Sequence, residues 1–141
     1  MGAFVAGDRA VKGRVMQVFV AMALAWLLAR LVQHFIPIDR PFVVGFGKQW
    51  LPHAASHSFP SKHATVAFGF ATAIALTAGR WYWASLALVA AALVAWSRVY
   101  LGLHFPSDVL AGALVGATSA WLTCRFFFRN PMRRNAATGL A

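Results

Sequence analysis

Acid is almost missing from this chain of 141 residues: Asp8, Asp39 and Asp108 are its only carboxylate side chains, against 13 lysines and arginines. Charge of either sign is scarce as well, at 11%, where a soluble domain carries about 25%. The single cysteine, Cys124, excludes an internal disulfide and leaves the redox compartment open. No internal repeat or low-complexity linker interrupts the chain, so residues 1–141 read as one domain. What is abundant is apolar surface. Hydrophobic residues make up 60% and mean hydropathy is +0.64, which places the chain in a bilayer.

A hydrocarbon core about 30 Å thick takes roughly 20 apolar residues per helix. Four runs emerge: Val15–Ile36, His63–Ala78, Trp81–Tyr100 and Ser107–Phe128, the second short enough to need its polar N-terminal turn near the headgroups. None alternates strictly, which favours helices over barrel strands. The expected fold is an all-α, polytopic membrane bundle of about four transmembrane helices. The first run follows Arg9, Lys12 and Arg14 and contains a signal-like Ala23-Leu24-Ala25. Its apolar stretch continues through Leu31, so it reads as an uncleaved span.

A net charge of +10 would suggest nucleic acid in a soluble protein, but here the excess flanks the spans. Residues 1–14 carry three of these charges, and Arg125, Arg129, Arg133 and Arg134 follow the last run. Both termini, including a flexible tail at 130–141, are therefore expected in the cytoplasm. The loops at 37–61 and 101–106 then share the opposite, external face, and no nucleic-acid partner is expected.

That topology brings three polar clusters to one membrane surface. "DRPF" (39–42) follows the first run, "PSKH" (60–63) opens the second, and "SRVYLGLHFPSD" (97–108) bridges the third and fourth. Ser61 precedes an apolar helix whose first amides attract anions. His104 and Asp108 are four apart, and Pro106 is tolerated in a first turn, so both side chains can share one face. Asp108 would then hold one ring nitrogen of His104 and leave the other outward as a nucleophile. Two arginines, a lysine and two histidines at one level suit a tetrahedral anion.

Pro60-Ser61-Lys62-His63, with Ser97-Arg98, five residues, His104, three residues and Asp108, resembles the type 2 phosphatidic acid phosphatase superfamily of membrane lipid phosphatases. The wider string "RPF…LPHAASHSFPSKHAT" is similar to its bacterial undecaprenyl-diphosphatase branch. The resemblance spans Arg40 to about Gly116. It implies that His104 attacks phosphorus, Asp108 supports it and His63 protonates the leaving oxygen. Arg40, Ser61, Lys62 and Arg98 would bind the phosphate oxygens, with no metal or other cofactor. It also implies an inner-membrane enzyme acting on a lipid phosphate or diphosphate, undecaprenyl diphosphate first, with phosphatidate, phosphatidylglycerophosphate or another monophosphate as alternatives. A non-catalytic anion-binding scaffold is the reading of a different class.

Two departures bear on this. The family places a lysine seven positions before the first-motif arginine, where this chain has Gln33; Arg30 lies one turn away. The motif position commonly occupied by glycine or aspartate is Lys62, which would restore the lost charge. The family also has two spans before its first motif, for which there is no room here. Either four helices suffice, a partner subunit supplies the missing surface, or activity is impaired. His34, His53 and His57 read as interfacial hydrogen-bonders; a zinc site at His53 and His57 lacks acidic or cysteine neighbours. Lys48 reads as a snorkelling anchor, and the tryptophans as interfacial belts. Gly112 and Gly116 form a small-residue face that packs the fourth helix into the bundle or joins two copies.

Overall fold

The computed structural model describes residues 2–46, 50 and 56–127. Lys48, His53 and the tail at 130–141 lie outside them. Four α-helices follow in order: α1 (Gly2–Phe35), α2 (Lys62–Thr77), α3 (Trp81–Tyr100) and α4 (Pro106–Leu122), the last continued by a π-helical turn at Thr123–Phe127. No strand occurs among the described residues. Among the described residues, three segments are long and apolar enough to cross a membrane: Val11–Phe35, Trp81–Tyr100 and Pro106–Phe126. The short second run forms α2, which is not among these three. Its 16 residues rise about 24 Å, short of a hydrocarbon core of about 30 Å.

The bundle is packed with small residues inside and large ones outside. Gln17, Ala21, Ala25, Ala29 and Gln33 form a buried stripe at every fourth position of α1, and Ala87, Ala91 and Ala95 form another on α3. Trp26, Leu27, Leu86, Leu93, Trp96 and Leu114 are exposed. Lipid tails solvate such side chains as well as a protein interior does, so close backbone approach decides which face turns inward. Hydroxyls on the inner faces bond back along their own helices, as Thr65 does to the Ser61 carbonyl at 2.9 Å and Ser119 to that of Val115 at 2.6 Å.

Short α2 is the central element, touching α1, α3 and α4, with its largest contact on α4. Gly112 and Gly116 face α2. A Cβ on Gly112 would stand 2.8 Å from the Ser61 carbonyl oxygen, and one on Gly116 would stand 2.7 Å from the Gly69 nitrogen. Gly116→Ala is therefore expected to force α2 and α4 apart, with a loss of about 1–3 kcal/mol or more, typical of overpacking. Thermal unfolding in detergent measures it; an unchanged midpoint would mean that the two helices are not in backbone contact. The Gly112 contact falls on Ser61, so this packing also sets the height of the α2 N-terminus.

Candidate active site

Each site residue is placed by a local feature of the chain. Ser61, with extended backbone angles, is the N-cap of α2, and its N–H donates to the Asp108 carbonyl at 3.0 Å. The first turns of α2 and α4 are thereby tied together. Gly102 takes a positive φ of 69°, the left-handed conformation that favours glycine, and lets the chain reverse between α3 and α4. Pro106 starts α4, and the Asp108 carboxylate accepts the Phe105 N–H at 2.9 Å, a capping bond that also fixes the carboxylate. Arg40 opens the turn after α1, where its carbonyl accepts the Val43 N–H at 3.0 Å.

These features bring Arg40, His104 and Asp108 into one buried cluster, with exposures of 1%, 4% and 1%. Arg40 Nη1 lies 2.9 Å from the Leu103 carbonyl and 3.2 Å from His104 Nε2. Its Nε donates to the Ser56 carbonyl at 2.9 Å. Burial pulls the Arg40 guanidinium below its ordinary pKa and the Asp108 carboxylate opposes that; the group stays a cation at working pH. A guanidinium has donors and no acceptor, so His104 Nε2 must present its lone pair and the ring proton sits on Nδ1. The partners, rather than any observed hydrogen, assign this tautomer.

His104 Nδ1 is 3.4 Å from Asp108 Oδ2, as the four-residue spacing predicts. It is also 3.3 Å from the hydroxyl of Ser58, which donates to the same carboxylate oxygen. Ser58 was not among the sequence-derived candidates. It lies within the string "LPHAASHSFPSKHAT", but a lone serine in a loop carries no signal of its own; its complete burial is a tertiary fact.

The remaining candidates are placed differently. Ser61 is fully buried, and its hydroxyl accepts the Ala64 N–H at a long 3.5 Å. Lys62 is half-buried and His63 exposed on the first turn of α2. Burial first, and then the charges of Arg30 and Arg40, pull the Lys62 ammonium below its ordinary pKa. Arg98 Nε donates to Ser97 Oγ at 3.2 Å, its one side-chain hydrogen bond among the described residues, and its carbonyl accepts the Leu103 N–H at 3.1 Å. Arg98 thus supports the turn that carries His104 without touching its ring. Gln33 is buried, and its amide donates to the carbonyls of Pro60 at 3.0 Å and His57 at 3.4 Å. It pins the loop before α2 onto α1.

Below this mouth, a groove of about 540 Å³ runs between α1 and α2. Met22, Trp26, Val66, Ala67 and Phe70 line it, with Lys62 and His63 at its polar end. Arg30 lies over the Trp26 ring, 5.8 Å from its centroid.

A membrane helix bundle that gathers cations and an oriented histidine–aspartate pair at a helix N-terminus defines a class of anion-handling membrane proteins. Residues 14–132 match the PAP2 superfamily, and the chain belongs to that family. It is 46% identical over 102 residues to "Putative undecaprenyl-diphosphatase YbjG" of Escherichia coli, covering 72% of this chain and 51% of that protein. To an undecaprenyl-diphosphatase of Sulfolobus acidocaldarius it is 36% identical over 83 residues, covering 59% of this chain and 40% of the other. The chain thus spans about half the length of the curated relatives it matches. Among solved structures, Aquifex aeolicus LpxE superposes with a TM-score of 0.75 at 25% identity, over 87% of this chain and 78% of that one. A PAP2-type phosphatidylglycerolphosphate phosphatase from Bacillus subtilis gives 0.59 at 28% identity, over 90% and 70%.

Proposed function

We propose that this chain is a lipid phosphatase that cleaves its substrate through a phosphohistidine on His104, with undecaprenyl diphosphate as the substrate. The observation that carries the chemistry is the Arg40 contact at 3.2 Å on His104 Nε2. It leaves the nucleophilic lone pair directed at a cation, where the oxygens of an arriving phosphoryl group would be held. The Nε2 lone pair forms the P–N bond as the P–O bond to the leaving group breaks, and His63, protonated, gives its proton to the departing oxygen. Water then attacks the phosphorus, His63 takes its proton, and the P–N bond breaks to return neutral His104 and release phosphate.

Arg40, Lys62 and the first amides of α2 stabilise the negative charge of both transition states. Ser61 and Arg98 keep the helix mouth and the His104 turn in place, and either could reach a bound phosphate oxygen after a side-chain rotation. The apolar groove beside His63 fits the lipid chain, since the leaving oxygen and the chain attached to it must lie on the proton donor's side. Positive charge near the N-terminus of α1 and in the segment after α4 supports a cytoplasmic location for both, and an outward-facing site.

The undecaprenyl assignment rests on the named function of the relatives above. The structural likeness to a phosphatidylglycerolphosphate phosphatase supports the second reading, a lipid monophosphate. Phosphate release from detergent-solubilised protein, run side by side on undecaprenyl diphosphate, phosphatidate and phosphatidylglycerophosphate, separates them; no release from any would leave an anion-binding scaffold. Because protein cations supply the positive charge, activity is expected to survive chelator and to be inhibited by vanadate, which mimics the five-coordinate transition state. Strict dependence on a divalent ion would contradict this.

Lys62 supplies, in this reading, the cation that Gln33 does not. Lys62→Ala is expected to lower kcat/KM by about one to three orders of magnitude, or about 1.4 to 4 kcal/mol. Gln33→Lys should recover part of that loss, and a double-mutant cycle on kcat/KM reads the coupling. A neutral Lys62→Ala would make it a solvated lysine.

A further inference from the structure

We propose that Ser58 is a positioning residue for the reaction, the third member of a hydrogen-bonded chain that holds the His104 ring; this rests on His104 being the nucleophile. The direction of every bond in the chain follows from what each group can do. Arg40 Nη1 can only donate, so it donates to Nε2, 3.2 Å away, and the ring proton is on Nδ1. An ionised carboxylate can only accept, so the Ser58 hydroxyl gives its one proton to Asp108 Oδ2. The lone pairs of Ser58 Oγ are then left for the His104 Nδ1–H at 3.3 Å.

Asp108 alone holds that proton poorly, since its oxygen lies 3.4 Å from Nδ1 and also accepts the Phe105 N–H at 2.9 Å. Serine supplies a second acceptor on the same side and polarises through to the carboxylate. As positive charge develops on the ring during attack, successive bonds in such a chain strengthen one another.

Ser58 is itself anchored. Its N–H donates to the Ile38 carbonyl at 2.7 Å, two residues before Arg40, and the loop on its other side is pinned by Gln33 through Pro60. The hydroxyl is completely buried, so water cannot replace it without rearrangement. One serine therefore links the loop that carries Arg40 to the pair on the α3–α4 turn.

The test uses the full chain in detergent, with Ser58→Ala, Asp108→Asn and the double variant, and His104→Ala to assign ring resonances. Ser58→Ala is expected to lower kcat about 10- to 100-fold, the scale of an unsatisfied buried hydrogen-bonding group, with KM changed less than about threefold. In the Asp108→Asn background the same change should cost much less, because both act on one ring. By NMR of ¹⁵N-histidine protein, the His104 Nδ1–H resonance should move upfield and exchange with solvent about tenfold faster in Ser58→Ala. A kcat within about twofold of wild type, equal losses in both backgrounds, or an unmoved Nδ1–H resonance would each overturn the role of Ser58. Absence of turnover in the wild-type protein would instead refute the phosphatase reading, and the NMR comparison would still decide where the Nδ1 proton is held.

Discussion

Replacing His104 with alanine is expected to remove phosphate release while leaving the bundle folded. Loss of a nucleophile costs about six orders of magnitude in well-studied hydrolases, and no other described side chain combines a lone pair held toward a buried arginine with a carboxylate behind it. The ring makes no contact that the helices need: α4 keeps its capping bond from Phe105 to Asp108 at 2.9 Å whether or not the imidazole is present. His63→Ala should behave differently. A general acid contributes about 10²–10⁴-fold, and its loss should be felt most with lipid monophosphates, whose leaving alkoxide is a stronger base than the lipid phosphate expelled from a diphosphate. Near-normal turnover by His104→Ala would refute the nucleophile assignment.

Arg40→Lys should follow in size. Lysine retains the charge but not the planar fork with which Arg40 reaches Ser56, Leu103 and His104 at once, and the two residues are not interchangeable at such a site. Removing one preorganised donor costs about 10²–10³ in kcat, and removing a transition-state arginine up to about 10⁵. We expect Arg40→Lys to lose about 10²–10³ in kcat/KM. Arg40→Ala should lose more and also unfold earlier, since the buried Leu103 carbonyl and the Ser56 carbonyl lose their donor, at about 1–3 kcal/mol for an unsatisfied buried group. Steady-state kinetics beside thermal unfolding separates the two effects; an Arg40→Lys variant with unchanged kcat/KM would show that the guanidinium only holds the loop.

Much of this architecture was legible in the sequence because bilayers demand long apolar helices, and because the four-residue spacing of His104 and Asp108 survives directly as a helical contact. The limits were equally physical. Length marked α2 as short, but hydropathy does not register that this helix sits between three others. The alanine stripes of α1 and α3 repeat every fourth residue and could have been read as packing faces, as Gly112 and Gly116 were. Gln33 was noted only as the place of a missing cation; its bonds to Pro60 and His57 cross 27 and 24 residues of chain, and no local pattern shows them. Arg98 stood in a motif with His104, yet its nearest hydrogen-bond partner is its neighbour Ser97. Ser58 was invisible for the same reason as Gln33: its partners lie 46 and 50 residues away.

The central claim is a covalent phosphoryl group on one nitrogen of one residue. Rapid acid-free quenching of the wild-type protein with ³²P-labelled lipid diphosphate, followed by peptide mapping and phosphorus NMR, tests it directly. The account predicts a base-stable, acid-labile phosphoryl group on His104 Nε2, formed and discharged at rates compatible with turnover and absent from His104→Ala. Label on another residue, or turnover with no phosphoenzyme at any time after mixing, would contradict it.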